Sequence, residues 1–132
     1  IHGEPGVWNG PIKTADALAE ESVGEILKDM PVAAGEEVAL LINGLGATSQ
    51  EELYILSGSV TKQLNAQGVK IYRTFVGEYA TSMEMAGASI SIMRLDDELS
   101  NPAGRPGAYA LLYAGVRCEH GKNCNKRTER AV

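Results

Sequence analysis

Aromatic side chains are scarce in this chain: one Phe, one Trp and five Tyr among 132 residues. Any core must therefore be aliphatic. No apolar run approaches the roughly 20 residues that cross a bilayer, and no basic stretch leads into an apolar one as in a secretory leader. Cysteine is limited to Cys118 and Cys124. Two cysteines define no disulfide framework, and free thiols in a reducing compartment are the expected state. A soluble chain in the cytoplasm, without a membrane partner, is the expectation. The chain also lacks G-x-G-x-x-G and the Lys-Ser/Thr of a phosphate-binding loop, so a nucleotide site of its own is poorly supported.

What is present fits one globular domain by length. Hydrophobic content is 44% and charged content 22%, ordinary for a soluble fold. A chain of this size buries roughly two-thirds of its unfolded surface. The net charge of −5 hides an asymmetry. Residues 1–100 hold six Lys/Arg against fifteen Asp/Glu, a balance of −9, whereas residues 101–132 hold six against two, a balance of +4. An acidic body repels phosphate backbones and argues against nucleic-acid binding. The basic end reads as a solvated, partly disordered tail.

Residues 1–13 carry three glycines and two prolines and read as loop. Thr14 to Met30 reads as a helix capped by Thr14 and stopped by Pro31, with Leu18, Ser22, Ile26 and Met30 on one face and Val23 and Leu27 beside them. Val38 to Ile42 is a continuous apolar run, the pattern of a strand buried on both faces. Ser49 and Glu52 match a capping box. Leu53, Leu56, Val60 and Leu64 follow at helical spacing, and Gly68 is the expected stop. Val69 to Val76 reads as a second strand, giving a β-α-β unit. Gly77 to Gly87 is a connection with a short helix over Tyr79–Met85, and Ala88 to Leu95 alternates as a third strand.

Four places carry chemistry-capable residues. His2 lies in Ile1-His2-Gly3-Glu4-Pro5-Gly6, where small and turn-forming residues let a ligand approach. A neutral imidazole nitrogen is a fair nucleophile near pH 7, although a lone histidine is as readily a loop residue hydrogen-bonded to Glu4. The turn from Asn43 to Thr48 lies between a strand and a helix N-terminus, where α/β sheets place ligands and N–H groups attract anions. The plain alternative is that its glycines serve close strand–helix packing. Glu78 and Thr81 follow the next strand and are candidates to line the same edge, with Met83 and Met85 as packing residues. Cys118, His120 and Cys124 lack a fourth zinc ligand nearby, so no metal is expected.

Three segments in one order, Ile1 to Gly6, Val38 to Thr48 and Gly68 to Ile92, together resemble the C-terminal part of the substrate-binding subunit of dihydroxyacetone kinases. The likeness spans residues 1–100. It implies an α/β fold with a mixed, mostly parallel sheet covered by helices (three-layer α/β/α), forming the second half of a two-domain, homodimeric subunit. It implies that His2 bonds covalently to the carbonyl carbon of dihydroxyacetone or a similar short ketose, with Gly3 and Glu4 beside it. The phosphoryl donor, ATP-Mg or an ADP-containing partner, sits in that family on a separate nucleotide-binding domain or subunit, so this chain is expected to bind no cofactor. The family's acid–base pair belongs to an N-terminal domain that these residues do not include, so the fragment is expected to be inactive alone. Beyond Glu98 the resemblance fades, and residues 101–132 are expected to form a divergent basic tail. The rival reading is a non-catalytic ketose sensor that regulates transcription through a protein partner.

Overall fold

The computed structural model describes Gly6 and residues 9–96. His2, Gly3, Glu4 and the segment holding Cys118, His120 and Cys124 lie outside the described residues. Five elements are formed: α1 (Ala15–Asp29), β1 (Glu37–Gly44), α2 (Gln50–Ala66), β2 (Lys70–Gly77) and β3 (Ala88–Leu95). None of the described helices is long and apolar enough to cross a membrane.

The helices start and stop where their side chains satisfy free backbone groups. Thr14 accepts a hydrogen bond from the Ala17 N–H at the head of α1. Ser49 and Glu52 form the full reciprocal capping box at the head of α2. Gly68, at φ +77°, turns the chain out of α2, a conformation that costs glycine little. The turn before β1 is clipped to the one before β2, as Gly35 N–H donates to Gly68 O and Lys70 N–H to Glu36 O.

β1 is the central strand in the order β2-β1-β3. It pairs parallel with β2 and antiparallel with β3. The sheet is therefore mixed, with one parallel and one antiparallel pairing among the described residues, where a mostly parallel sheet is expected from the sequence. β1 also runs on to Asn43 and Gly44, past the apolar run, because β3 pairs them with Ser89 and Ala88.

A single aliphatic cluster fills one face of this sheet. Val38, Leu40 and Ile42 meet Leu53, Leu56, Val60 and Leu64 of α2 and Ala19 and Val23 of α1. Both helices thus contribute to the same face, and each fully buried Leu is worth roughly 2–3 kcal/mol of transfer free energy. The alternate residues of β1, Ala39 and Leu41, are only half-buried, so the strand is enclosed on one side among the described residues. In α1 the buried stripe centres on Ala19 and Val23, one position round from the expected Leu18-Ser22-Ile26-Met30 line. Small Ala19, rather than bulkier Leu18, occupies the fully enclosed place.

The turn before β1 carries a titratable clip. The Glu36 carboxylate accepts from the Ala33 N–H at 2.7 Å and from the Arg94 guanidinium on β3. These bonds, the backbone one foremost, hold the Glu36 carboxyl below its ordinary value. Because the folded pKa is the lower one, the clip's stabilisation is present above the unfolded pKa and is lost as pH falls through the folded one. Thermal melting between about pH 6 and pH 3 should show a steeper loss for the native chain than for Glu36→Ala. Parallel curves would mean that the clip contributes nothing.

Candidate functional site

The C-terminal ends of β1 and β2 lie side by side, with Asn43 opposite Gly77, and the loops that leave them meet at one edge, the place where parallel α/β sheets bind ligands. Gln50, at the start of α2, donates to Val76 O and ties the helix to the same edge.

Asn43 is the pivot. It is the buried polar side chain among the described residues, 2% exposed at the end of an apolar strand. Its Oδ1 accepts from the N–H groups of Tyr79 at 2.7 Å and Ala80 at 2.9 Å. Its Nδ2 donates to Ala80 O at 2.8 Å and to Ser89 Oγ at 3.2 Å. A carboxamide supplies two donors and an acceptor with two lone pairs, and all of that capacity is used. No other side chain of this size offers the same set.

These bonds explain why the expected helix over Tyr79–Met85 does not form. The backbone groups of Tyr79 and Ala80 are committed to Asn43, and Glu84 sits at φ +53°, outside right-handed helical space. The segment instead runs beside the Gly-rich turn. Leu45 N–H donates to Gly87 O and Ala47 N–H to Met85 O. Thr48 Oγ1 donates to Gly87 O, and Ser82 Oγ to Leu45 O. Glycine is required where the two strips touch. At Gly46, φ +95°, an added Cβ would lie 2.1 Å from Ser82 O. At Gly44 it would lie 2.9 Å from Leu53 Cδ1, so close strand–helix packing is one purpose of the turn.

The same zipper changes the chemistry open to the turn. The N–H groups of Leu45 and Ala47 are spent on the neighbouring loop, and that of Ser49 is spent on the Glu52 carboxylate. With these groups spent and a carboxylate already at the helix N-terminus, the turn serves as a structural clasp. Glu78 and Thr81 are both exposed at this edge. Met83 is 96% exposed, where the expected role is packing. Sequence reasoning singled out the glycines and passed over Asn43. The available signal was a lone amide closing a run of five apolar residues. Among the described residues no group of three or more His, Cys, Asp and Glu is placed to hold a metal ion.

Breaking the clasp should be costly. Gly46→Ala should destabilise the chain by at least about 2 kcal/mol, from left-handed strain plus the clash. Asn43→Leu should cost about 2–4 kcal/mol by stranding the Tyr79 and Ala80 groups. Met83→Ala should stay within about 0.5 kcal/mol of the native chain. Urea unfolding of the three variants measures this order, and a neutral Gly46→Ala would refute the clasp.

The sequence profile of the Dak1 domain matches residues 1–108. Over 106 residues the chain is 44% identical to the dihydroxyacetone-binding subunit of PTS-dependent dihydroxyacetone kinase 2 of Listeria innocua, covering 80% of this chain and 32% of that protein. It is 38% identical over 134 residues to D-erythrulose kinase of Mycolicibacterium smegmatis, covering 100% of this chain and 23% of that one. The chain thus spans about a third or less of these relatives. Two solved structures share the fold. One is titled for regulation of the dha operon of Lactococcus lactis, at TM-score 0.66 and 31% identity over 74% of this chain and 31% of that one. The other is a dihydroxyacetone kinase operon co-activator, at TM-score 0.67 and 30% identity over 74% of this chain and 30% of that one. Family match, identity and fold agree that this chain belongs to the Dak1 family and corresponds to a portion of its dihydroxyacetone-binding type of subunit.

Proposed function

We propose that this chain is the ketose-holding half of a dihydroxyacetone-type kinase, and that His2 captures the short keto-sugar covalently. The observation that carries the reading is the 44% identity to a dihydroxyacetone-binding subunit over 80% of the chain. The erythrulose kinase relative extends the substrate class to four-carbon ketoses. In the capture step the unprotonated imidazole nitrogen of His2 bonds to the carbonyl carbon while the C=O π bond opens. The alkoxide takes a proton as the imidazole gives one up, and a neutral hemiaminal results with no atom lost. Gly3 and Glu4 belong to the same binding segment. A polyol offers no carbonyl carbon to attack, so bond formation separates ketoses from glycerol where hydrogen bonding alone discriminates modestly.

Phosphoryl transfer to the primary hydroxyl then needs positioning and charge neutralisation. ATP-Mg or an ADP-bearing component supplies the phosphoryl group from a separate nucleotide-binding domain or subunit. The loops at the described edge, residues 43–50 and 77–88, contain no Lys or Arg, which fits a donor held elsewhere. In this reading the chain belongs to a two-domain, homodimeric, cytoplasmic subunit, its sheet completed as a three-layer α/β/α domain, and it is inactive as an isolated piece.

A second reading has its own support. Both structural neighbours carry titles of operon regulation and co-activation, which favours a ketose sensor that binds sugar and acts through a protein partner. A coupled kinase assay on the complete protein with its donor separates the two, since the sensor turns over no sugar.

The capture itself is tested by mass spectrometry after borohydride-free rapid desalting of the complete protein with dihydroxyacetone. The native protein should gain one ketose mass, glycerol should add none, and His2→Ala should abolish the gain. A native protein without any adduct would rule out covalent capture.

A further inference from the structure

The two residues that end β1 are each demanded by the fold, for different reasons. Asn43 is needed for its donors and lone pairs, which hold Tyr79, Ala80 and Ser89. Gly44 is needed because an added Cβ would lie 2.9 Å from Leu53 Cδ1 and 3.2 Å from Glu78 Cγ. Together they spell Asn-Gly, the pair from which a side-chain amide is most readily lost, since glycine leaves the attacking nitrogen uncrowded. In that reaction the Gly44 backbone nitrogen, its proton taken by hydroxide, bonds to Asn43 Cγ. The Cγ–Nδ2 bond breaks, and the nitrogen leaves as ammonia. Water then opens the cyclic imide to aspartate or to isoaspartate. The net change is water consumed and ammonia released, with no oxidation or reduction.

The fold restrains each part of that step. Ring closure requires Asn43 to turn about its Cα–C bond, out of the extended conformation. Asn43 is paired on both sides, opposite Gly77 in the parallel ladder and opposite Ser89 in the antiparallel one. Its carboxamide is tied by four hydrogen bonds. At 2% exposure it is also shielded from hydroxide and water, and such burial only deepens as more protein packs around it. The same pair at Asn9-Gly10 is exposed and lies outside every described helix and strand. We propose that Asn43-Gly44 is a masked self-modification site, intact while the clasp is closed and deamidated once this edge opens, so that opening becomes one-way. Neither product restores the clasp. Aspartate sets a carboxylate oxygen against Ala80 O, to which Nδ2 now donates at 2.8 Å, and buries a charge. Isoaspartate adds a methylene to the main chain and falls out of step with both ladders. The step needs neither sugar nor phosphoryl donor.

The test incubates the complete protein carrying this chain in mildly alkaline buffer over a series of urea concentrations and maps its tryptic peptides by mass. The peptide over residues 29–62 holds Asn43 as its one asparagine, so amide loss is read there directly. Asn9-Gly10, in the peptide ending at Lys13, is the reference for the chemistry in urea. Conversion at Asn43 should rise with the fraction unfolded and end at least about tenfold above its rate in native buffer. A rate at Asn43 that is the same in native buffer and in urea would overturn the masking. Asn43→Asp, which stands for one of the two products, should fail to reach the native melting temperature. An unchanged melting temperature in that variant would overturn the one-way step.

Discussion

The carboxamide of Asn43 is the interaction on which this edge of the molecule depends. It lies where the central strand ends, and it converts the loop after β2 from a free connection into a fixed strip. A buried amide is tolerated there only because every one of its donors and lone pairs is met. Replace it by an apolar isostere, and the Tyr79 and Ala80 backbone groups have no partner. Replace it by a carboxylate, and both donors vanish and a charge is buried. The glycine at 46 follows from the same constraint, since the strip that Asn43 fixes runs too close for any Cβ.

Much of this arrangement was legible from sequence, and the reasons differ by element. α2 was readable at both ends, because a capping box and a left-handed glycine are local signals whose physics involves few other residues. β3 was readable from alternation alone. β1 was legible as a strand but not in its surroundings. A continuous apolar run reports that a strand is central, and the structure places it between β2 and β3, yet Ala39 and Leu41 are only half-enclosed by the residues described. The antiparallel partner could not be read from β1, since pairing direction depends on how a distant loop turns.

The connection over Tyr79–Met85 forms no short helix, for a physical reason. Its residues have acceptable helical propensity, but propensity is weak beside three long-range hydrogen bonds from a side chain some 36 positions earlier. Tertiary contacts of that kind leave almost no trace in a local window. The trace that does exist is indirect: an amide at the end of an apolar run must find partners, and a loop offers backbone groups that no ladder has claimed. The proposed capture residue His2 stands apart, because its assignment rests on family resemblance and its segment lies outside the described residues.

The division of labour in the proposed kinase follows from charge. A ketose is neutral, so a piece that holds it needs no cation of its own. A phosphoryl group in flight is strongly anionic and cannot be stabilised by carboxylates. Keeping these tasks on separate bodies lets the sugar-holding piece stay acidic while the donor carries the positive groups.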